Sequence, residues 1–383
     1  MSIQTASLPG ALAHRISGGP AVPRQPATVV QAEAGASDHL INGLDSGALL
    51  QCFLEHPPVD VVVLGSAPIP VFSARFDLLT AADDALKSWV RGLPWYARWA
   101  DWLRPRVAFA GCSVTEYSPL PTSLDARPYV RRLRSEVGSR HALTVVKDLP
   151  NQSPLLAPGD NALADVLAAA CQEEGFIVVE GLPLAYVPID FSDVHTYIDR
   201  LPKASRRYIT RRLRTREQIC VVRLSTGTAF ADDAKIATYY SLYQEVYRRS
   251  DTKLDCLTED FFASVLRDEF NNGVVFEYRH AATGDLLGWN LCFEIGGRLI
   301  DKYIGLSYPA CREMNLYFVS WVVNLEYALT RGLSHYVAGA SATDVKVMLG
   351  ARFTPTRHAV YVRNPLLRML ARRFAGRFSM GDH

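Results

Sequence analysis

Several signatures of common enzyme classes are missing from this 383-residue sequence. Its seven cysteines (Cys52, Cys112, Cys171, Cys220, Cys256, Cys292 and Cys311) stand singly, with no CxxC and no histidine at metal-ligand spacing. A disulfide framework is therefore not expected, and the thiols should be reduced and mostly buried. The nine histidines never fall into HxxxH or HExxH, so no metal is expected. Neither a GxSxG elbow nor a phosphate-binding GxxxxGK(S/T) loop occurs, which counts against a common hydrolase or a P-loop enzyme. Charge of one sign is also lacking. With 41 Lys plus Arg against 39 Asp plus Glu, a net +2 does not argue for nucleic acid, DNA included, or a membrane as a global partner. Residues 1–37 lack the unbroken apolar run of a secretory signal. The most apolar helix candidate, Met314 to Ala328, is interrupted by Asn315, Asn324 and Glu326 and falls short of the ~20 residues that span a bilayer. These absences read as a cytoplasmic protein.

What is present is a packed chain. At 49% hydrophobic and 21% charged it is globular, and its length predicts two domains or one unusually large one. Val59 to Leu64, Val107 to Tyr117 and Phe176 to Val179 read as strands, and Asn161 to Glu174 as an amphipathic helix. Trp89, Trp95, Trp99 and Trp102 cluster between Asp84 and Leu103, where the Trp95/Trp99 step puts both on one helical face, expected to be core or lid. Leu201 to Glu217 carries seven basic residues against one acid, and Arg207, Arg211 and Arg214 share a helical face. That face suits a diphosphate or an RNA backbone, or is simply a solvated linker helix. Beyond it, helices are expected over Asp233–Arg248 and from Thr258, a good N-cap, to Phe270. Three strands follow (Val274–Arg279, Leu286–Glu294, Arg298–Ile304), joined at Thr283-Gly284-Asp285 and Gly296-Gly297, both hairpin chemistry. Then come a helix from Met314 to Thr330 ended by Gly332, a strand from Leu333 to Ala338, a polar stretch around Asp344–Met348 and a strand from His358 to Arg363.

This order resembles the acyltransferase fold of the GNAT superfamily. Asp301-Lys302-Tyr303-Ile304-Gly305, Glu326 to Leu329 with Arg331-Gly332-Leu333, and Gly339-Ala340 followed by Lys346, Gly350, Phe353, Pro355, Thr356 and His358 narrow it. They are similar to the FemAB-like group, which includes peptidoglycan biosynthesis or recognition proteins and BioF2-like acyltransferases. The resemblance implies an α/β (α+β) chain of two GNAT-like halves, each a mixed, largely antiparallel sheet flanked by helices. The division would be a flexible tail at 1–37, an N-terminal half at 38–200, a basic linker helix at 201–217, a C-terminal domain at 218–363 and a basic amphipathic tail at 364–383. It also implies transfer of an acyl or aminoacyl group to a small-molecule amine, from acyl-CoA such as acetyl-CoA or from aminoacyl-tRNA. Leu316-Tyr317-Phe318 and Asp344-Val345 stand where the group tends to have His-Phe-Glu and Glu-His, so donor and acceptor are expected to differ. The usual acetyl-CoA loop has no copy before the long helix, and CoA rests on fold analogy.

Acyl transfer to an amine needs a neutral nucleophile, donors for a developing oxyanion and a route for the proton. The resemblance puts the functional lysine at Lys346, whose bland alternative is an exposed loop lysine. Asp301 and Tyr303, alternating with Lys302 on one strand, share a face and could carry the proton, or form a structural pair. Ser307, Arg312 and the amides at the start of the long helix form a candidate anion site, or an ordinary loop. Arg207 and Arg211 are the candidate contacts for the polyanionic part of the donor. His358 reads as a packed histidine. The C-terminal stretch Asn364 to Phe378 alternates leucines with arginines and either touches anionic lipid peripherally or docks on its own domain. The reading is an N-acyltransferase. The rivals are a non-catalytic GNAT-like module that binds a cell-wall precursor or carrier-bound intermediate, and an RNA-binding protein.

Overall fold

The computed structural model describes residues 43–65, 69–81, 84–250 and 256–374. The tail expected at 1–37 and the end of the C-terminal stretch, 375–383, lie outside the described residues.

Two mixed, largely antiparallel sheets flanked by helices make up the fold, as expected. Strands are numbered in chain order. The first sheet runs β1 (Val62–Gly65), β2 (Val71–Arg75), β3 (Arg106–Ala110), β4 (Leu143–Pro150), β13 (Thr356–Val362) and β5 (Ile177–Glu180). The second runs β12 (Arg352–Thr354), β6 (Leu184–Pro188), β11 (His335–Gly339), β10 (Arg298–Leu306), β9 (Leu286–Ile295), β8 (Gly273–His280) and β7 (Ile219–Ser225). Among these pairs only β3 with β4 and β10 with β11 are parallel. Sheet membership does not follow chain order. Gly181–Pro183 carries the chain from β5 in the first sheet to β6 in the second, and Pro355 alone carries it from β12 back to β13. The two crossings are tied together: Gly181 N donates to Thr356 O at 2.9 Å, and Thr356 Oγ1 donates to Leu182 O at 2.8 Å.

Local chemistry explains the most regular part. The meander β8–β9–β10 turns at Gly284, then at Gly296 and Gly297, all at positive φ, where glycine carries no Cβ penalty. The Thr258 hydroxyl accepts from Phe261 N at 3.2 Å and starts the helix Glu259–Arg267. The helix Leu316–Thr330 is buried along most of its length and packs Val319, Trp321 and Leu325 against Phe276, Tyr278 and Leu299 of the second sheet. A second core lies where the two sheets face each other, around Phe72, Phe109, Phe262, Trp289 and Phe293. A third lies behind the first sheet, where Val146 and Ala359 meet Val130 and Leu167.

Two expectations change. Trp89, Trp95 and Trp102 are 64%, 72% and 83% exposed, so the tryptophan segment is not core. Trp95 adopts φ +63°, which breaks the helix between Asp84–Arg91 and Tyr96–Trp99 and removes the shared face. The C-terminal helix Pro365–Phe374 turns its leucines outward, while Arg368 faces the domain: its guanidinium donates to Val362 O at 3.2 Å and lies over the Tyr361 ring. Among the described residues no helix is long and apolar enough to cross a membrane.

Candidate active site

β10 and β11 pair only from Arg298/His335 to Ile300/Val337 and then part. A cleft of about 960 Å³ opens there, between the inner faces of the two sheets. Three rows of side chains cross its first-sheet wall. Val107, Leu143 and Val362 form one row, and Phe109, Val145, Val360 and Ile177 the next. The third is polar, with His358 opposite Lys147 and Asp148 at a register shift.

Lys346 sits on the short helix Thr343–Met348, whose N-cap Ala342 lies at φ +53°. It is buried, not the exposed loop residue that its polar surroundings suggested. Its Nζ donates to Ala338 O at 2.5 Å and to Gly339 O at 3.1 Å, beyond the last β10–β11 pair. A lysine ammonium has three N–H bonds, so one remains for the cleft. Burial pulls the amine down to about 8, against the opposing pull of the Asp301 and Glu116 carboxylates. Gly339, at φ +76°, has its Cβ direction toward this site: a Cβ there would lie 3.9 Å from Nζ and 4.0 Å from Glu116 Oε2.

Asp301 is held on all sides. Asn290 Nδ2 donates to Oδ1 at 2.6 Å, while the Tyr336 hydroxyl (2.6 Å) and Asn324 Nδ2 (3.3 Å) donate to Oδ2. Burial raises its pKa against those bonds and the charges of Lys346 and Lys302. Asp301 and Tyr303 do not share a face as the simple alternation requires. The ladder shifts register between them, so Lys302 is an extra residue and a β-bulge. Asp301 consequently points toward the long helix, whereas the Tyr303 ring packs edge-on against Phe261 and Phe262. Both still line the cleft.

The bulged Lys302 meets a buried acidic pair. Its Nζ donates to Glu116 Oε1 at 2.8 Å and to Val114 O at 3.1 Å and forms an ion pair with Asp45, whose other oxygen accepts from Glu116 N at 2.7 Å. Burial pulls the Lys302 amine down, but the two carboxylates outweigh it and raise its pKa. Burial raises that of Glu116 despite Lys302. On the opposite wall, His358 Nδ1 accepts from Asp148 N at 2.9 Å, which leaves the proton on Nε2. Burial lowers the pKa of this ring, with Asp148 opposing.

Asp301, Tyr303 and Lys346 thus line one cleft. Ser307, Arg312, Arg207 and Arg211 do not. Arg312 stacks over Tyr308, and the Ser307 carbonyl accepts from Cys311 N. The basic run is the helix Lys203–Arg212 followed by a 3-10 stretch to Gln218. Arg212 and Arg216 bind Asn315 and Glu326 of the neighbouring helix, while Arg207, Arg211 and Arg214 remain exposed.

Residues 164–380, more than half of the chain, match the model of a family described as FemAB-like, peptidoglycan biosynthesis/recognition. The chain belongs to the FemAB-like family. The resemblance carried by the sequence from Asp301 to His358 is therefore borne out. No curated protein matches this FemAB-like chain. Among solved structures it is similar to the C-terminal domain of a protein assigned as a lysylphosphatidylglycerol synthetase from Agrobacterium fabrum, at 12% identity, TM-score 0.51 and coverage of 89% of this chain and 95% of that one. That likeness is one of fold. The FemX structure follows at 10% identity, TM-score 0.45 and coverage of 84% and 97%.

The FemAB-like site contains groups that sequence reasoning missed. Asp45 and Glu116 come from distant segments with no spacing signal, and Lys302, read only as the residue that alternates with Asp301 and Tyr303, carries no role in the sequence because a bulge is invisible in an alternating pattern. Tyr336, Asn290 and Asn324 look like ordinary strand and helix residues until they converge on Asp301.

Proposed function

We propose that this FemAB-like protein transfers an acyl or aminoacyl group to an amine in the cleft between its two sheets. The observation that carries the reading is Lys346: a buried ammonium fixed by two carbonyls at the parting of β10 and β11, with one N–H left over. A positioned donor of this kind suits the oxygen of a tetrahedral intermediate. The amine nitrogen attacks the donor carbonyl, the C–N bond forms, the C–S or C–O bond to CoA or tRNA breaks, and the amine proton leaves with the departing sulfur or oxygen. Asp301, with both oxygens already occupied, serves as a fixed negative charge beside Lys346 rather than as a mobile base. Tyr303, on the opposite side of the bulge, borders the reacting groups. For an aminoacyl-tRNA donor, the exposed Arg207 and Arg211 would meet the phosphate backbone outside the cleft, and Ser307 and Arg312 do not line it.

The test is a thermal-shift series with acetyl-CoA, longer acyl-CoAs and aminoacyl-tRNA, followed by single-turnover transfer to a primary amine. A donor at 100 times its dissociation constant adds about 2.7 kcal/mol. Transfer that is lost in Lys346→Ala supports the proposal. Binding without transfer, unchanged in that variant, leaves a recognition module instead.

A further inference from the structure

A small acyl group leaves most of this cleft unexplained. Val179, Val360 and Val362 face into it, yet none belongs to any of the four buried clusters among the described residues. Their sequence neighbours Val178, Ala359 and Tyr361 pack into the core on the other face of the same strands. Alternation thus gives β5 and β13 apolar side chains on both faces, the pattern of a strand covered on both sides. The described residues leave this inner face half-exposed to the cleft, as surface that a ligand would cover.

The distribution of polarity says what. Polar groups collect at one end, where Lys147, Asp148 and His358 on the first sheet look across at Lys346, Asp301 and Glu116. From there the two apolar rows follow one another along β13, through Val360 to Val362, four residues or roughly 13 Å beyond His358. Such a wall complements a molecule with one polar end and one long apolar end. At the apolar end lies the helix Pro365–Phe374, whose Ala371 lines the cleft. Its Leu366, Leu367, Met369 and Leu370 are 68%, 56%, 63% and 48% exposed, an apolar surface at the rim of an apolar cavity. At about 960 Å³ the cleft is at the upper end of the roughly 300–1,000 Å³ usual for ligand sites.

We propose that the cleft holds a long linear acyl chain, its carbonyl at Lys346 and its hydrocarbon over Val145, Val360 and Val362. This names the acyl group of the transfer proposed above and rests on that reading for the placement of the carbonyl. The chain could arrive on a soluble thioester or from a bilayer met by the outer helix, and the same chemistry serves both.

The test is binding, which needs no turnover. The full chain is titrated calorimetrically with acetyl-, octanoyl- and palmitoyl-CoA below their micelle-forming concentrations. Each buried methylene strengthens binding roughly fourfold, so octanoyl-CoA should bind at least about 100-fold more tightly than acetyl-CoA. Val360→Trp should abolish the gain from octanoyl to palmitoyl while leaving acetyl-CoA affinity and the melting temperature in place. Flotation with phosphatidylglycerol vesicles, lost in a Leu366→Ser/Leu370→Ser variant that still binds palmitoyl-CoA, assigns the bilayer source. No flotation alongside tight palmitoyl-CoA binding assigns the soluble one. Equal affinities across the CoA series, or a Val360→Trp variant that weakens all of them alike, overturn the inference. Transfer of short acyl groups without chain-length dependence leaves the transferase standing and removes this site. Length-dependent binding without transfer keeps the site and removes the transferase.

Discussion

Lys346 Nζ lies 2.5 Å from the carbonyl oxygen of Ala338, one residue past the last pair that β11 makes with β10. The lysine occupies the gap where one sheet comes apart, so its position is fixed by backbone rather than by a flexible partner. A rigid donor of this sort loses little on reorganisation during a reaction, which is what makes such groups effective.

Lys346→Met keeps the length of the side chain and removes the donor. Turnover is expected to fall by about 10²–10³, the loss of one oxyanion donor. Single-turnover rates give the effect, and an unchanged far-ultraviolet spectrum separates it from unfolding.

The same residue gives a pH signature. With its pKa near 8, Lys346 is protonated and able to donate below that value, and it loses the donating form above it. A rate profile should descend about tenfold per pH unit past roughly pH 8, and Lys346→Arg, which stays charged, should flatten that limb. Stability responds in the opposite sense. Because the native pKa is below that of an unfolded lysine, the unfolded chain binds more protons between the two values. The Lys346 contribution to unfolding free energy therefore rises with pH from about 8 toward the ordinary lysine value.

Lys302 is needed for the fold as well as the site. Lys302→Met would leave Asp45 and Glu116 buried without their cation, a loss of about 3–5 kcal/mol. Urea denaturation should show it, and Glu116→Gln added to Lys302→Met should recover part of the loss. Full stability in the single variant would contradict the role assigned to this cluster.

His358 should be neutral near pH 7, with its proton on Nε2, because its Nδ1 accepts from the Asp148 amide. Heteronuclear imidazole spectra report the tautomer directly. Since its native pKa lies below the unfolded one, its contribution to stability is present above the ordinary histidine value and is lost as pH falls from there through the lower native value.

The sequence disclosed the meander well, since Gly284, Gly296 and Gly297 mark its turns and the apolar residues between them fit only strands. It also disclosed the helix Leu316–Thr330, whose apolar length and closing Gly332 are local features. Local reasoning failed where distant segments decide. Asp344 to Met348 reads as an exposed polar turn, and only the parting of β10 and β11 buries Lys346 there. That residue was singled out by resemblance, not by pattern. Asp45, Glu116 and Lys302 lie far apart in the chain and meet through tertiary packing alone.

The crossings at Gly181–Pro183 and Pro355 bear on how the molecule comes into being. β13 sits between β4 and β5 yet follows them by about 180 residues or more, so a ribosome delivers both neighbours long before the strand that joins them. Until residue 362 emerges, the nascent polypeptide holds two unpaired β edges, the kind of surface that associates with other chains. Assembly must wait for this strand, and the groove between the sheets cannot take shape before residue 362 has been made.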